Sequence, residues 1–372
     1  MRRSIGVTTA AALLLGVGLA CDSAQAQSTY PAKPIRLIVP FAEVDAPGHV
    51  SRRPVRGTGA HAAGLYSVAM TMPQSYPAKP IRLIVPFAPG GGTDIVARLL
   101  AQKLTEAYRQ TVIVDNRAGG GGTIGAETAV RASPDGYTAI MMSGSYATNA
   151  AMFKLPYDPV NDIVPMGLVG DTAFLIALHP AVPIKSVHEL IAFARAKPGA
   201  LNYGSSGTGG IAHLSGELFD LLAMTKMTHV AYKGTGPALN DLLGGQIQLI
   251  FGSAPSTIPL VRSNRLRAIA VTTSRRSAAL PDLPTVAESG VAGYEVVLWY
   301  GVLGPKGLPK IIVQRWNAEI RQATKLPDLK EKLVAEGFAI DDSPPEVFQA
   351  VLKRDVAKWT KVVKDAKVKA ID

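Results

Sequence analysis

The feature that most restricts the fold of this chain is a regular alternation of short apolar runs with helix-like segments from residue 76 onward. The runs Ile81–Phe87 and Thr111–Asn116 are each followed by a glycine-containing turn and a segment with apolar residues at helical spacing. Strands that alternate with helices of about 10 to 15 residues are typical of a parallel sheet. Two successive sets of these units, joined by extended segments near 170–180 and 295–304, predict an α/β fold with two lobes and a cleft between them.

Four glycine-rich turns lie between a predicted strand and a predicted helix. Free backbone N–H groups and the positive end of a helix dipole favour an anion at such a turn, and ligands of α/β folds bind at the carboxyl ends of the strands. We therefore predict an anion between the lobes, although tight turns also need glycine for conformational reasons alone. Thr93 or Asp94 is predicted to cap the helix after the first turn. The turns are PGGGTD (Pro89–Asp94), AGGGGTIGAE (Ala118–Glu127), GSSGTGGIAH (Gly204–His213) and YKGTGP (Tyr232–Pro237).

Other motifs limit the chemistry of this site. Gly120–Gly125 matches the dinucleotide pattern G-x-G-x-x-G formally, but no acidic strand end follows at the expected distance, and no glycine run continues into a P-loop. The sequence contains no G-x-S-x-G nucleophile elbow. His213 and Glu217 have the spacing to share a metal, yet two such residues without a third ligand are more often a surface pair or a cap. We predict no cofactor, no metal and no catalytic residue. His229 is expected to pack within a strand. Trp299 and Tyr300 are expected to pack between the lobes, and a position facing the cleft is the alternative.

The N-terminus has the organisation of a secretory signal peptide. Met1–Arg3 is basic, Ile5–Ala20 is apolar and Ala24–Ala26 provides small residues for cleavage, so residues 1–26 are predicted to be removed. An apolar run of about 16 residues is short for a membrane anchor. Cys21 is the only cysteine, and a lipid anchor there remains an alternative. After cleavage behind Ala26 the chain has no cysteine, which excludes disulfides and Cys-based metal sites.

The segment YPAKPIRLIVPFA occurs twice, at Tyr30–Ala42 and at Tyr76–Ala88. Only the second copy continues into a turn and an amphipathic helix, whereas the first runs into residues rich in Gly, Pro and Arg without apolar periodicity. We predict that the second copy forms the strand and that residues 27–75 are a partly duplicated, disordered insert, from a partial duplication or a reading error in the gene. An edge strand formed by the first copy is the alternative.

The net charge of +11 raises the question of nucleic-acid binding. The basic residues are scattered and gather mainly in Lys353–Lys369, where acidic residues are interspersed, as on a solvated helix face. We therefore predict no nucleic-acid partner. A mild positive field favours anionic small molecules without specifying one.

Five segments, in order, carry a resemblance to a known family. From about Tyr76 to its C-terminus, the chain resembles the extracytoplasmic solute-binding receptors of the tripartite tricarboxylate transporter family, also called Bug proteins. The segments are YPAKPIRLIVPFAPGGGTDIVAR, VDNRAGGGGTIGAETAVRASPDGYT, YGSSGTGGIAHLSGELF, VAYKGTGPALNDLLGGQIQLIFGS and LPDLPTVAESGVAGYEVVLWYGVLGPKGLP.

The resemblance implies a periplasmic receptor with a two-lobe, periplasmic-binding-protein-like (Venus flytrap) fold, whose hinge closes the lobes on a small carboxylate. Residues 76–175 with 300–372 would form lobe 1, and residues 176–299 would form lobe 2.

The expected partners are the carboxylate and the membrane subunits of a tripartite transporter, and the receptor is expected to be a monomer and not an enzyme. An exported sensor component, or an exported enzyme acting on carboxylates, is the alternative. The sequence does not name the carboxylate.

The resemblance also implies which residues hold the ligand, through backbone N–H groups, hydroxyls and waters rather than arginines. Lobe 1 would contribute Pro89, Gly90, Gly91 and Asp94 from the first turn, and Ser145, Ala147 and Asn149 from the turn after the third strand. Lobe 2 would contribute Ser205, Ser206, Gly207, Thr208 and Gly209, with Tyr232, Lys233 and Gly234 closing over the ligand. For Asp94, capping a helix is the first expectation and ligand contact the second. Gly210 stands where relatives often carry a further serine.

Overall fold

The computed structural model describes residues 76–365, together with residues 368 and 370. The predicted signal peptide, Cys21 and the predicted insert 27–75 lie outside the described residues. The second copy of the repeated segment is described, and it forms a strand followed by a glycine turn and a helix. Among the described residues, no helix combines the length and the apolar character needed to cross a membrane.

Strands and helices alternate through most of the described chain, as the apolar pattern predicts. The first elements are β1 (Ile81–Val85), α1 (Gly92–Tyr108), β2 (Val112–Asn116), a 3-10 turn (Gly120–Gly122), α2 (Thr123–Val130), β3 (Thr138–Ser143), α3 (Ser145–Met152), β4 (Ile163–Leu178), α4 (Val187–Ala196), β5 (Asn202–Ser205) and α5 (Ile211–Ala223). The remaining elements are β6 (Thr228–Ala231), α6 (Thr235–Leu243), β7 (Leu249–Ser253), α7 (Ala254–Arg262), β8 (Arg267–Val271), β9 (Val297–Pro305), α8 (Lys310–Lys325), α9 (Pro327–Ala335), β10 (Ala339–Ile340) and α10 (Pro345–Asp365).

The strands form one sheet in the order β2-β1-β3-β9-β4-β7-β5-β6, with β8 and β10 also paired to β4. The pairs of β1 with β2 and β3, and of β5 with β6 and β7, are parallel. Every pair that includes β4 or β9 is antiparallel. The prediction of a parallel sheet was therefore wrong at its centre, because the two extended segments that join the sets pair with each other in opposite directions.

Strand β4 connects the two halves of the sheet. Its residues Ile163–Ala173 pair with β9, and from Phe174 onward it pairs with β7 and β8 instead. We call β1, β2, β3, β9 and Ile163–Ala173 the first half of the sheet, and Phe174–Leu178 with β5, β6, β7 and β8 the second half. This is the two-lobe α/β architecture. The residue boundaries of the lobes, 76–175 with 300–372 and 176–299, stay a prediction.

The start of the described region is anchored by Tyr76. Its hydroxyl donates a hydrogen bond to the Gly136 carbonyl (2.7 Å) and accepts one from Trp316 Nε1 (2.9 Å). Trp316 is fully buried and packs edge-on against Tyr108, and Tyr76 packs edge-on against Tyr137. The second copy of the repeat is therefore tied to α8 from its first residue.

A chain of residues 75–372 is expected to fold as stably as one of residues 27–372, because the contacts of Tyr76 hold β1 in place. Tyr76→Ala in the shorter chain is expected to lower the free energy of unfolding by about 3 kcal/mol, since it leaves a cavity and an unpaired Trp316 N–H. Urea unfolding measures both effects. If only the longer chain folds, the first copy of the repeat belongs to the folded structure.

Candidate functional site

Five helices begin at the same place in the molecule. They are α1, α3, α5, α6 and α7, and the residues that precede them are Gly91, Gly144, Gly210, Gly234 and Ser253. In the described structure, none of these five residues supplies a side-chain cap, whereas Ser186 accepts a hydrogen bond from Glu189 N at the start of α4. Backbone N–H groups in the first turn of a helix lack helical partners, and the helix dipole adds a partial positive charge. Five helices thus direct free donors towards one point.

The point where they meet is a cavity of about 20 Å³, which has room for about one water molecule. Its wall combines hydroxyl groups, glycines and apolar side chains from both halves of the sheet, and none of the residues that line it is charged. They are Phe87, Gly91, Gly92, Thr93, Ser143, Ser145, Phe174, Ser206, Ile211, Thr235, Ser253, Leu298 and Tyr300. Burial raises the pKa of Tyr300, outweighing the hydrogen bond to Ser253 that lowers it, so its phenol stays a neutral donor.

The glycine turns of the two halves touch each other beside the cavity. A Cβ atom on Gly207 would lie 2.9 Å from Gly121 Cα, and one on Gly121 would overlap the Thr208 carbonyl oxygen. A Cβ atom on Gly236 would overlap the Pro89 carbonyl oxygen in the same way. These glycines let backbone pack on backbone, so the structure shows the two halves closed against each other.

Two hydrogen bonds join the halves at this contact. The Ala88 N–H donates to the Lys233 carbonyl oxygen over 2.8 Å. The Ile211 N–H, at the start of α5, donates to Ser145 Oγ over 3.2 Å. Gly210 has no side chain with which to cap α5, and a serine from the other half provides the acceptor instead. Both bonds depend on closure.

Asp94 shapes the first turn from behind. The prediction that Thr93 or Asp94 occupies the helix cap was wrong, because Gly91 is the capping residue and both lie inside α1. Asp94 Oδ2 accepts hydrogen bonds from Gly90 N (3.0 Å) and Arg98 Nε (3.1 Å), and Oδ1 accepts one from Asn116 Nδ2 (2.9 Å). Burial raises its pKa, but the bonds from Arg98, Asn116 and Gly90 outweigh burial and hold the pKa below its usual value. The carboxylate thus fixes the turn and is not part of the cavity wall.

The predicted site residues fall into three groups. Gly91, Ser145 and Ser206 line the cavity. Another group lies where the halves touch: Pro89, Gly90, Gly207, Thr208, Gly209, Lys233 and Gly234. The rest lie behind the turns: Asp94, Ala147, Asn149, Ser205 and Tyr232. Tyr232 donates its hydroxyl to Asp241 Oδ2 (2.7 Å), so its side chain is held away from the cavity. Contact of these residues with a ligand stays a prediction.

Ser205 and His229 form a pair that resembles a nucleophile with its base. Ser205 Oγ lies 2.6 Å from His229 Nε2, but Ser205 is fully buried. The Gly207 N–H donates to the same Oγ over 3.1 Å. A buried hydroxyl that bonds its own turn meets no substrate, so the arrangement fits a structural role. Among the described residues, no group of three or more His, Cys, Asp or Glu side chains is placed to hold a metal.

Sequence reasoning missed much of the cavity wall. Thr93, Ile211 and Thr235 lie in the predicted glycine-rich turns but were not named as ligand contacts, and for Tyr300 a position facing the cleft was only the alternative. The residues with no predicted role at the site are Phe87, Ser143, Phe174, Ser253 and Leu298. Several of these residues occupy the first positions of helices or the last positions of strands. That location could have been recognised from the sequence, because ligands of α/β folds bind at the carboxyl ends of strands. Trp299, next to Tyr300, is buried and donates to Asp355 Oδ2 (2.9 Å) in α10, as expected of a packing residue.

Comparison with known proteins gives a consistent result. The family profile described as tripartite tricarboxylate transporter family receptor matches residues 96–368. Protein BugT of Bordetella pertussis is 36% identical over 285 residues, 76% of this chain and 87% of BugT. The protein encoded in the tcbD-tcbE intergenic region of Pseudomonas sp. strain P51 is 34% identical over 284 residues, 76% of this chain and 84% of that protein.

Solved structures agree with the sequence relatives. The periplasmic binding protein BugD is 35% identical, with a TM-score of 0.77 over 79% of this chain and 99% of BugD. R. palustris Rpa4515 with adipate is 36% identical, with a TM-score of 0.77 over 80% of this chain and 100% of that protein. MatC (Rpa3494) from Rhodopseudomonas palustris with bound malate is 30% identical, with a TM-score of 0.75 over 77% of this chain and 99% of that protein.

Gly236→Ala is expected to prevent closure without harming the fold. The new methyl group would overlap the Pro89 carbonyl, while alanine favours the helical backbone at the start of α6. Gly244→Ala, at the other end of α6, is the matched control because its Cβ would meet only ordinary contacts, the nearest at 3.4 Å. Urea unfolding is expected to show both variants at least as stable as the parent. The dissociation constant for the small carboxylate that the chain binds, measured calorimetrically, is expected to rise about tenfold or more in Gly236→Ala only, equivalent to ~1.4 kcal/mol. Equal affinity in both variants would contradict the closed contact.

Proposed function

Since this chain belongs to the tripartite tricarboxylate transporter receptor family, we propose that it is a periplasmic receptor that closes its two lobes on a small aliphatic carboxylate. The observation that carries the proposal is the convergence on one uncharged cavity of five helix N-termini, none of which is capped by the side chain of its own N-cap residue. The proposed cellular role is delivery of the ligand to the membrane subunits of a tripartite transporter by a monomeric receptor.

The chemistry of the cavity favours a carboxylate. Free backbone N–H groups at helix N-termini bind anions, and a hydrogen bond to an ionised acceptor is stronger than one to a neutral group. The hydroxyls of Ser145, Ser206 and Thr235 add further donors at the wall. Because the wall has no carboxylate, an anion meets no repulsion there. Because it has no guanidinium or ammonium group, selection depends on geometry rather than on net charge.

The apolar part of the wall favours an aliphatic ligand. Phe87, Phe174, Ile211 and Leu298 lie among the hydroxyls and glycines. A short carbon chain buries apolar surface against these side chains while its carboxyl groups meet the helix N-termini. Adipate and malate, which are present in the structures of two relatives, have this composition. We therefore propose dicarboxylates of about four to six carbons as the first ligands to test.

Closure follows from the same contacts. A cavity of about 20 Å³ does not admit a dicarboxylate, so the halves must open for entry and must close around the ligand with the cavity walls farther apart than they are in this structure. An anion that bonds to donors of both halves stabilises the closed form relative to the open form, and this shifts the population towards closure. The strand β4, which pairs with both halves, is the proposed hinge together with β9.

The proposal predicts thermal stabilisation by a short dicarboxylate. A ligand at about a hundred times its dissociation constant adds ~2.7 kcal/mol to the free energy of unfolding, which raises the melting temperature by several degrees. A thermal-shift screen of adipate, malate and other carboxylic acids measures this. Methyl esters of the same acids serve as controls, because they retain the carbon chain but lack the charge.

Ser206→Ala tests the position of the site. The variant is expected to melt at the parent's temperature without ligand and to show a smaller shift with the acid, since one hydroxyl donor is lost from the cavity wall. Ser263→Ala is the matched control, because this hydroxyl lies at the exposed end of α7 and bonds only to the carbonyls of its own helix. An undiminished shift in Ser206→Ala would place the ligand elsewhere, and stabilisation by the esters alone would exclude an anion site.

A further inference from the structure

Two histidines lie stacked beneath the turn Ser205–Gly209. The rings of His213 in α5 and His229 in β6 have centroids 4.0 Å apart and planes inclined by 30°. The Gly209 N–H donates to His213 Nδ1 over 3.2 Å, and Ser205 Oγ lies 2.6 Å from His229 Nε2. The two imidazoles therefore hold the two ends of the turn whose middle supplies Ser206 to the cavity.

The hydrogen bonds require a neutral His213. Its Nδ1 accepts from Gly209, so the ring proton is on Nε2, which faces Glu217 Oε1 at 3.5 Å. A second proton would have to bind to Nδ1. Two donors, N–H of the ring and N–H of Gly209, would then point at each other, and the hydrogen bond that fixes this end of the turn would be lost.

We propose that His213 and His229 are positioning residues for the ligand-binding turn, and that uptake of a proton by the pair releases the turn and lowers the affinity for the ligand. This inference rests on the proposed carboxylate site. Neither histidine lines the cavity. They act through the shape of the turn, since Gly207 and Thr208 touch the Gly121 backbone of the other half and have no room to shift while the halves are closed.

The surroundings of His229 disfavour a proton on that ring. Burial and the neighbouring His213 lower the pKa of His229 to about 3, although Glu217 opposes this. Glu217 lies beside His213 instead. Two imidazolium rings 4.0 Å apart would repel, so the pair takes up one proton before a second. Tyr203 on β5 also packs against the pair, with its ring centroid 5.1 Å from that of His229. Asp220 on α5 lies near Glu217 and Tyr203 and adds a further carboxylate to this side of the pair.

The direction of the effect follows from Glu217. A distant positive charge on its own would attract an anionic ligand and raise the affinity. A proton on His213 forms an ion pair with Glu217, whose carboxylate also accepts from the Tyr203 hydroxyl (2.7 Å), so little net charge is added near the cavity. Loss of the Gly209 hydrogen bond remains, and acidification therefore weakens binding.

The test compares pH profiles of the full-length protein. Calorimetric titration with adipate and with malate from pH 8 to pH 4.5 is expected to show the parent's affinity falling by up to about tenfold per pH unit in the acidic range, beyond the ligand's own titration. His213→Asn keeps an acceptor in place of Nδ1 but cannot be protonated, so its profile is expected to be flatter. His213→Leu removes the acceptor and is expected to bind weakly at every pH. His188→Asn, on the exposed face of α4, is the matched control and is expected to follow the parent.

A second readout needs no ligand. In protein labelled with [15N]glycine, the Gly209 amide resonance is expected to move with acid at the same midpoint as the His213 ring protons, and to stay in place in His213→Asn. If neither acid binds but the resonances move together, the proposed function fails and the positioning role stands. If the Gly209 resonance does not follow His213, or if His213→Asn keeps the parent's pH profile, the inference is wrong. A parent affinity that rises on acidification would also overturn it.

Discussion

The closed arrangement of the two halves of the sheet depends on backbone packing against backbone where they meet. Gly207 and Thr208 touch Gly121, and Gly236 touches Pro89, with no side chain between them. Only glycine permits this approach, because any Cβ atom would enter the opposite chain. The contact brings the first turns of helices from both halves to one cavity, and the hydrogen bond from Ile211 to Ser145 forms only there. We therefore propose that recognition of the ligand and closure of the lobes are the same event in this protein.

The absence of charged side chains from the wall of this cavity has a physical consequence. An arginine would bind almost any carboxylate in either half alone, whereas helix N-termini offer weaker donors in fixed directions. Several must act together, and they do so only when the halves are closed. Acidic residues lie behind the cavity wall instead. Asp94 holds the turn that precedes α1, and Glu217 lies beside His213, which holds the turn Ser205–Gly209. Charge thus shapes the donors without contacting the cavity.

Local sequence patterns predict a large part of this arrangement. The glycine turns, β1 and the helices that follow can be identified from the spacing of apolar residues and the composition of the turns, because those signals lie within a few residues of the element they form.

Contacts between residues that are distant in the chain leave no such signal. Ser145 caps a helix that begins 66 residues later, and His213 stacks on His229 from another element. The antiparallel pairing of β4 with β9 was missed since an apolar run has the same appearance in either direction. Asp94 was misjudged because its carboxylate reaches back to Gly90 rather than capping the helix.

The most direct test of the account is small-angle X-ray scattering of the protein with and without a saturating dicarboxylate. If backbone contact across the cleft and ligand capture are one event, the ligand-free protein is predicted to be more extended, and its radius of gyration is predicted to fall when adipate or malate binds. For the 75–372 chain, the scattering with ligand is predicted to lie closer than the ligand-free scattering to the curve calculated from residues 76–365 of the closed structure. A protein that binds the acid with no change in its radius of gyration would contradict the account, because capture would then not require the two halves to meet.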